Sequence, residues 1–183
     1  VNADRLAIIW DTETTGLTKH PSAKRSAQPR IIEFGAALVT AAGEVVDELN
    51  ILIEPGVPLE AEITKITGIT ADDLIGAPTF ATVAQRIRSM FARASLQIAH
   101  NLPFDMSVLE FELERTAQAD WPWPARSLCT VQEHAEEFGF RPKLTTLFEV
   151  YNGRPLEQTH RAIEDVRALL TICIASGVLK DNL

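Results

Sequence analysis

An apolar run, Leu6-Ala7-Ile8-Ile9-Trp10, drives straight into Asp11-Thr12-Glu13-Thr14-Thr15-Gly16-Leu17. A short, β-rich run without polar alternation predicts a strand over residues 6–10 that is buried on both faces. Residues 31–40 and 45–54 are strand-like in turn, and Ala42-Gly43 between them predicts a hairpin, so the first three strands form a meander. Between the first two lies a polar stretch, residues 18–30, with Lys19, Pro21, Lys24, Arg25, Pro29 and Arg30, which reads as an exposed loop. The period then changes to that of helices. Residues 58–67 predict a short helical turn stopped by Gly68, and Thr70-Ala71-Asp72-Asp73 has the spacing of a capping box. Pro78-Thr79 opens a helix whose Phe80, Val83, Ala84, Ile87, Met90 and Phe91 fall on one face.

Residues 96–99 form another short apolar strand ending at His100-Asn101, and Pro103 suits the first turn of the helix that follows, with Leu109 and Leu113 inward. Trp121-Pro122-Trp123-Pro124 is a rigid connection whose indoles are expected to pack. Thr130-Val131-Gln132-Glu133 reads as a capping box starting a helix that Gly139 ends, and residues 144–151 as a helix closed by Asn152-Gly153. Thr159 is the expected cap of the last helix, with Ile163, Val166, Leu170 and Ile174 toward the core. Strands first and helices after, with one more strand among them, predict an α/β fold with a mixed sheet.

The chain has 183 residues, enough for one domain (1–183) with a sizeable core. Its 46% hydrophobic and 23% charged residues are those of an ordinary globular protein, and no run is long enough to span a membrane. Cys129 and Cys173 lack metal-ligand spacing, so both are expected reduced and buried, which points to a cytoplasmic setting. The net charge of −8 argues against coating long duplex DNA by phosphate neutralisation. It leaves room for an enzyme that grips a strand end, because acids that hold cations are far less negative in use.

Asp11 and Glu13 are two residues apart, so extended backbone turns both carboxylates to one side, where they repel unless a cation or shared proton lies between them. Asp105, His160 and Asp165 also stand out from the apolar scaffold. Carboxylates are hard oxygen donors suited to Mg²⁺ or Mn²⁺, and two such ions about 3.5–4 Å apart clamp a phosphodiester. His160 and Asp165 are five apart and do not share a helical face, so His160 is expected at the helix start, free to swing toward the acids as a proton acceptor. Each residue alone has a plainer reading: a histidine at a helix start as a surface group, Asp105 as a charge favoured by the helix dipole.

Taken together, Asp11-Thr12-Glu13-Thr14-Thr15-Gly16-Leu17, His100-Asn101-Leu102-Pro103-Phe104-Asp105 and His160-Arg161-Ala162-Ile163-Glu164-Asp165 resemble the three ordered motifs of the DEDDh 3′–5′ exonucleases, the DnaQ-like enzymes that include the proofreading epsilon subunit of bacterial DNA polymerase III. Residues 31–35 and 66–70 also look like family segments. The resemblance implies an RNase H-like fold with a five-stranded mixed sheet flanked by helices. It implies that Asp11, Glu13, Asp105 and Asp165 hold two divalent cations and that His160 is the general base. Thr14, Thr15, Gly16 and Leu17 would line the terminal nucleotide. Glu62 would meet its sugar, with Thr67 on the same side where several relatives carry His, and His100, Asn101 and Phe104 would flank the strand path. The implied reaction releases nucleoside 5′-monophosphates from 3′ ends, with DNA favoured and a polymerase subunit as candidate partner; no oligomeric state follows. An exoribonuclease or oligoribonuclease on the same fold is the near alternative. A non-catalytic polymerase-accessory module and a metal phosphatase are the more distant ones.

Overall fold

The first strand runs further than its apolar residues. In the computed structural model, which describes residues 5–20 and 22–183, β1 (Leu6–Thr14) continues through both acids. Residues 1–4 and Pro21, part of the sequence reading, lie outside the described residues. The expected meander is present: β2 (Ile31–Val39) pairs antiparallel with β1 and with β3 (Val45–Leu52). Its turn is closed by the Gly43 N–H donating to the Thr40 carbonyl at 2.9 Å. Then β4 (Ala94–Ala99) and β5 (Arg126–Cys129) add in parallel on the other side of β1, giving the order β3-β2-β1-β4-β5. The sheet is therefore mixed and five-stranded, with β1 in its centre. Residue patterning alone misses β5: it is four residues long, and only Leu128 and Cys129 are buried.

The helices are α1 (Ala61–Thr67), α2 (Ala71–Leu74), α3 (Phe80–Phe91), α4 (Leu102–Arg115), α5 (Thr130–Phe138), α6 (Leu144–Asn152), α7 (Ala162–Ala175) and α8 (Val178–Asn182). One face of the sheet packs Ile8, Trp10 and Phe34 against α3 and α4. The other packs Ala7, Ile9 and Val39 against α6 and α7. Alternation along β1 thus sends its odd residues toward α7, and Asp11 and Glu13 continue that row. Trp121 and Trp123 pack edge-on to Phe91 at 5.7 and 5.5 Å, and Phe91 is 5.2 Å from Trp10, so the indoles are packing groups. Both cysteines are free and buried, and no helix among the described residues is long and apolar enough to cross a membrane.

The capping box at Thr70 forms with Asp in its last place: the Asp73 N–H donates to Thr70 Oγ1 at 3.2 Å and the Thr70 N–H to Asp73 Oδ2 at 2.8 Å. Three local expectations fail. Thr130 does not cap α5; it is that helix's first residue, Cys129 stands at the cap, and the Thr130 hydroxyl bonds His100 instead. Thr159 does not cap α7, whose cap position is Arg161. Ile174 is 49% exposed rather than turned to the core, lying over the turn at Gly43. The 18–30 stretch is mostly exposed but contains a 3₁₀ turn (Arg25–Ala27) and is pinned by buried Gln28, whose side chain accepts from the Lys19 N–H at 2.9 Å.

One close approach ties the sheet to the last long helix. A Cβ built on Gly35 would lie 2.6 Å from the Ala162 carbonyl carbon, so only glycine lets β2 and the start of α7 touch backbone to backbone.

Candidate active site

Three segments converge at the end of β1. Asp11 and Glu13 project from the strand itself. Asp105 comes from the first turn of α4, where it is buried and its Oδ1 accepts from Thr12 twice, from the N–H at 3.1 Å and from the hydroxyl at 2.8 Å. Asp165 comes from the first turn of α7, where its Oδ2 accepts from Gln158 Nε2 at 2.8 Å. His160 lies just before that helix, with an exposed side chain on a left-handed backbone, φ 51°. Donor atoms of Glu13, His160 and Asp165 all lie within 4.8 Å of one another. Asp11 and Asp105 fall outside that trio and act on it by proximity of charge.

The electrostatics are those of crowded acids. Burial, then the charges of Asp165, Glu33 and Asp105, lift the Glu13 carboxyl from 4.5 to about 8, while Arg161 opposes the rise. Burial first, and Asp105 next, hold Asp11 well above the ordinary carboxylate range. Asp105 is pushed up to about 7 by burial despite its two bonds from Thr12. Asp165 is raised by burial, with Gln158 and His160 working against it. Such a cluster pulls in either protons or cations. Its donor set, carboxylate oxygens with one imidazole alongside, fits a hard divalent cation better than zinc or copper.

The flanking residues divide into those beside the acids and those placed elsewhere. Thr14 is buried, its hydroxyl donating to the Gly16 carbonyl at 2.7 Å. The Thr15 N–H donates to the Arg30 carbonyl at 2.9 Å, and its hydroxyl accepts from the Arg30 N–H at 3.0 Å. These bonds fix the loop that presents Leu17, which is 81% exposed. Thr15, Gly16, Leu17, Lys19 and Glu62 line a cleft of about 360 Å³ between this loop and α1. Thr67 is not among its lining residues: it is buried, and its hydroxyl donates to the Ile63 carbonyl while accepting from the Ile69 N–H. On the α4 side, His100 Nδ1 pairs with Thr130 Oγ1 at 3.0 Å, and burial drops its pKa to about 4, so the ring is neutral at pH 7. Asn101, at φ 66°, takes the left-handed turn into α4 and accepts from Arg141 at 2.9 Å. Phe104 is half-buried against the core.

Several supporting residues escaped residue-by-residue reading. Thr12 holds Asp105, Gln158 holds Asp165, and Glu33 sits directly across from Glu13 in the β1–β2 pairing. Glu33 left a signal in the sequence: it is the one charged residue in the otherwise apolar run 31–39, and a buried acid requires a partner.

A family model described as Exonuclease (RNase_T) matches residues 8–173. The chain is 29% identical over 167 residues to the PolC-type DNA polymerase III of Caldanaerobacter subterraneus, covering 91% of this chain and 11% of that one. It is 30% identical over 178 residues to the same-named protein of Bacillus subtilis, covering 95% and 11%. The chain thus spans about a tenth of the length of these curated relatives. Among solved structures, it is similar to exonuclease I with TM-score 0.75 and 19% identity, over 97% of this chain and 42% of that one. It is also similar to exonuclease X in complex with 5′-overhanging duplex DNA, with TM-score 0.67 and 20% identity, over 92% and 89%. At these identities the likeness is one of fold.

Proposed function

The chain belongs to the Exonuclease (RNase_T) family, on the DnaQ-like, RNase H-like fold, and on that premise we propose that it hydrolyses DNA from the 3′ end and releases nucleoside 5′-monophosphates. The observation that carries this reading is the meeting of Glu13, His160 and Asp165 within 4.8 Å, beside Asp11 and Asp105, at the end of the central strand. DNA is preferred over RNA because the two curated relatives described above, aligned over nearly the whole chain, are DNA polymerases by name, and a polymerase is the partner they suggest.

Asp11, Glu13, Asp105 and Asp165 would hold two divalent cations, Mg²⁺ or Mn²⁺, which when bound polarise the phosphoryl oxygens and ease deprotonation of a water. His160 accepts the proton of the attacking water at an imidazole nitrogen, and its exposed position before α7 gives it access to solvent and strand alike. The water oxygen bonds to phosphorus as the bond to the preceding nucleotide's 3′-oxygen breaks. That oxygen keeps the electron pair and takes up a proton, and the terminal nucleotide leaves with its 5′-phosphate. Leu17, an exposed apolar side chain at the mouth of the cleft, presses on a terminal base, and Glu62 across the cleft accepts a hydrogen bond from the terminal sugar hydroxyl. The loop of Thr14, Thr15 and Gly16 forms the wall between them, and His100, Asn101 and Phe104 flank the incoming strand from the α4 side.

The test is nucleotide release from matched 3′-labelled DNA and RNA single strands, with Mg²⁺, Mn²⁺ or EDTA, and products resolved by size. Metal-dependent release of mononucleotides, faster from DNA, is expected. Faster release from RNA would reverse the substrate preference, and no release from any 3′ end would leave a binding module.

A further inference from the structure

His160 sits in an irregular segment, residues 153–161, that links α6 to α7, and its backbone adopts a left-handed conformation that L residues with a Cβ disfavour. A side chain so placed keeps its geometry only if its neighbours hold it. The next residue does so. Arg161 donates from Nε to both carboxylate oxygens of Glu33, at 3.2 and 3.0 Å, and from Nη2 to Oε1 at 2.7 Å. Glu33 Oε2 also accepts from the Ala162 N–H at 3.0 Å, one of the donors that the first turn of a helix leaves without a partner. The Arg161 carbonyl in turn accepts the N–H groups of Glu164 and Asp165 at 2.9 and 3.1 Å. One wholly buried carboxylate thus fixes the residue after His160 and the start of the helix that carries Asp165. Its strand position, opposite Glu13, ties both to the catalytic strand.

We propose that Glu33 and Arg161 form a positioning pair that sets the aim of His160 at Glu13 and Asp165. The proposal rests on His160 acting as the base. Glu33 is sealed inside the protein, and Arg161 has its guanidinium turned back onto it. The pair works because a planar guanidinium locked side-on to a carboxylate resists rotation in a way a single ammonium does not. Loosening it leaves His160 present but misaimed, and a misplacement near 1 Å lowers the chemical rate by about 10²-fold.

Single-turnover hydrolysis of 3′-labelled single-stranded DNA with Mn²⁺ tests this with Arg161→Ala, Arg161→Lys, His160→Ala and the double variant His160→Ala/Arg161→Ala, each checked by thermal unfolding. Arg161→Ala is expected to lower the rate by about 10- to 100-fold with little change in KM. Arg161→Lys, which keeps the charge and loses the fork, should fall between parent and Arg161→Ala. In the His160→Ala background the Arg161 effect should vanish, because no base remains to be aimed. A loss of equal size in that background would assign the pair a purely structural role and overturn the proposal. So would parental activity in Arg161→Ala, or in Arg161→Lys should the alanine variant fail to fold. Parental activity in His160→Ala would overturn the base assignment itself, and the proposal with it.

Discussion

Replacing Glu13 by Gln removes one charge from the acid cluster and keeps the side chain's shape. In the folded chain, burial and the charges of Asp165, Glu33 and Asp105 raise this carboxyl from 4.5 to about 8. Between those two values the folded protein keeps a proton that the unfolded chain has released. Stability therefore falls as pH rises through that window, and the loss is complete only above the folded value. From 4.5 to about 8 is about 3.5 units, which at 1.36 kcal/mol per unit is about 5 kcal/mol, the ceiling for one residue whose repulsion is shared with its neighbours. For a chain of this length 1 kcal/mol moves Tm by about 2–4 °C, so the ceiling corresponds to about 10–20 °C. Melting curves in EDTA should place Glu13→Gln several degrees above the parent near pH 8, with the two converging near pH 4.5. Mn²⁺ should raise the parent's Tm most at the alkaline end, where the acids are ionised, and raise the variant's less. A variant that melts at or below the parent near pH 8 without metal, or a parent whose Tm is flat across the window, would refute the picture of uncompensated buried charge.

His160→Ala should lower the hydrolysis rate by about 10²–10⁴-fold with Tm unchanged, since the lost imidazole is exposed; a retained rate measured on labelled DNA would remove it from the mechanism. Gly35→Ala puts a methyl 2.6 Å from the Ala162 carbonyl carbon, so it should destabilise by about 1–3 kcal/mol in urea titration and lower activity as α7 is pushed off the sheet. Equal stability would show that the two backbones have room to part. Leu17→Ala should leave stability within about 0.5 kcal/mol because the side chain is 81% exposed, while raising KM for oligonucleotides. An unchanged KM would take Leu17 out of substrate contact.

The central strand, the hairpin and the acids on one side of β1 could be read from period alone, because burial on both faces and two-residue spacing are local properties. What long-range partners decide could not. Thr130 looked like a helix cap, but its hydroxyl is drawn to His100, thirty residues away in sequence. Thr159 looked like the cap of α7, but the free N–H at that helix's start is taken by Glu33 from the far side of the chain. Thr67 was expected near the sugar, but its hydroxyl closes a turn within α1 and the residues after it. Strand β5 is too short to carry a period, and it emerged only because the three ordered motifs imply a fifth strand. The motif order named the five site residues; their convergence depends on Thr12, Gln158 and Gly35, none of which a spacing rule selects.

The chain's three tryptophans, Trp10, Trp121 and Trp123, all gather around Phe91. Every indole therefore lies on the α3–α4 side of the sheet, and the layer bearing α6 and α7 holds none. Tryptophan emission during unfolding follows one layer alone, whereas circular dichroism sums over both. Recorded side by side, the two signals become a gauge of cooperativity across β1: superimposed curves mean the layers melt together, and separated ones mean that the helix behind His160 lets go of the sheet on its own.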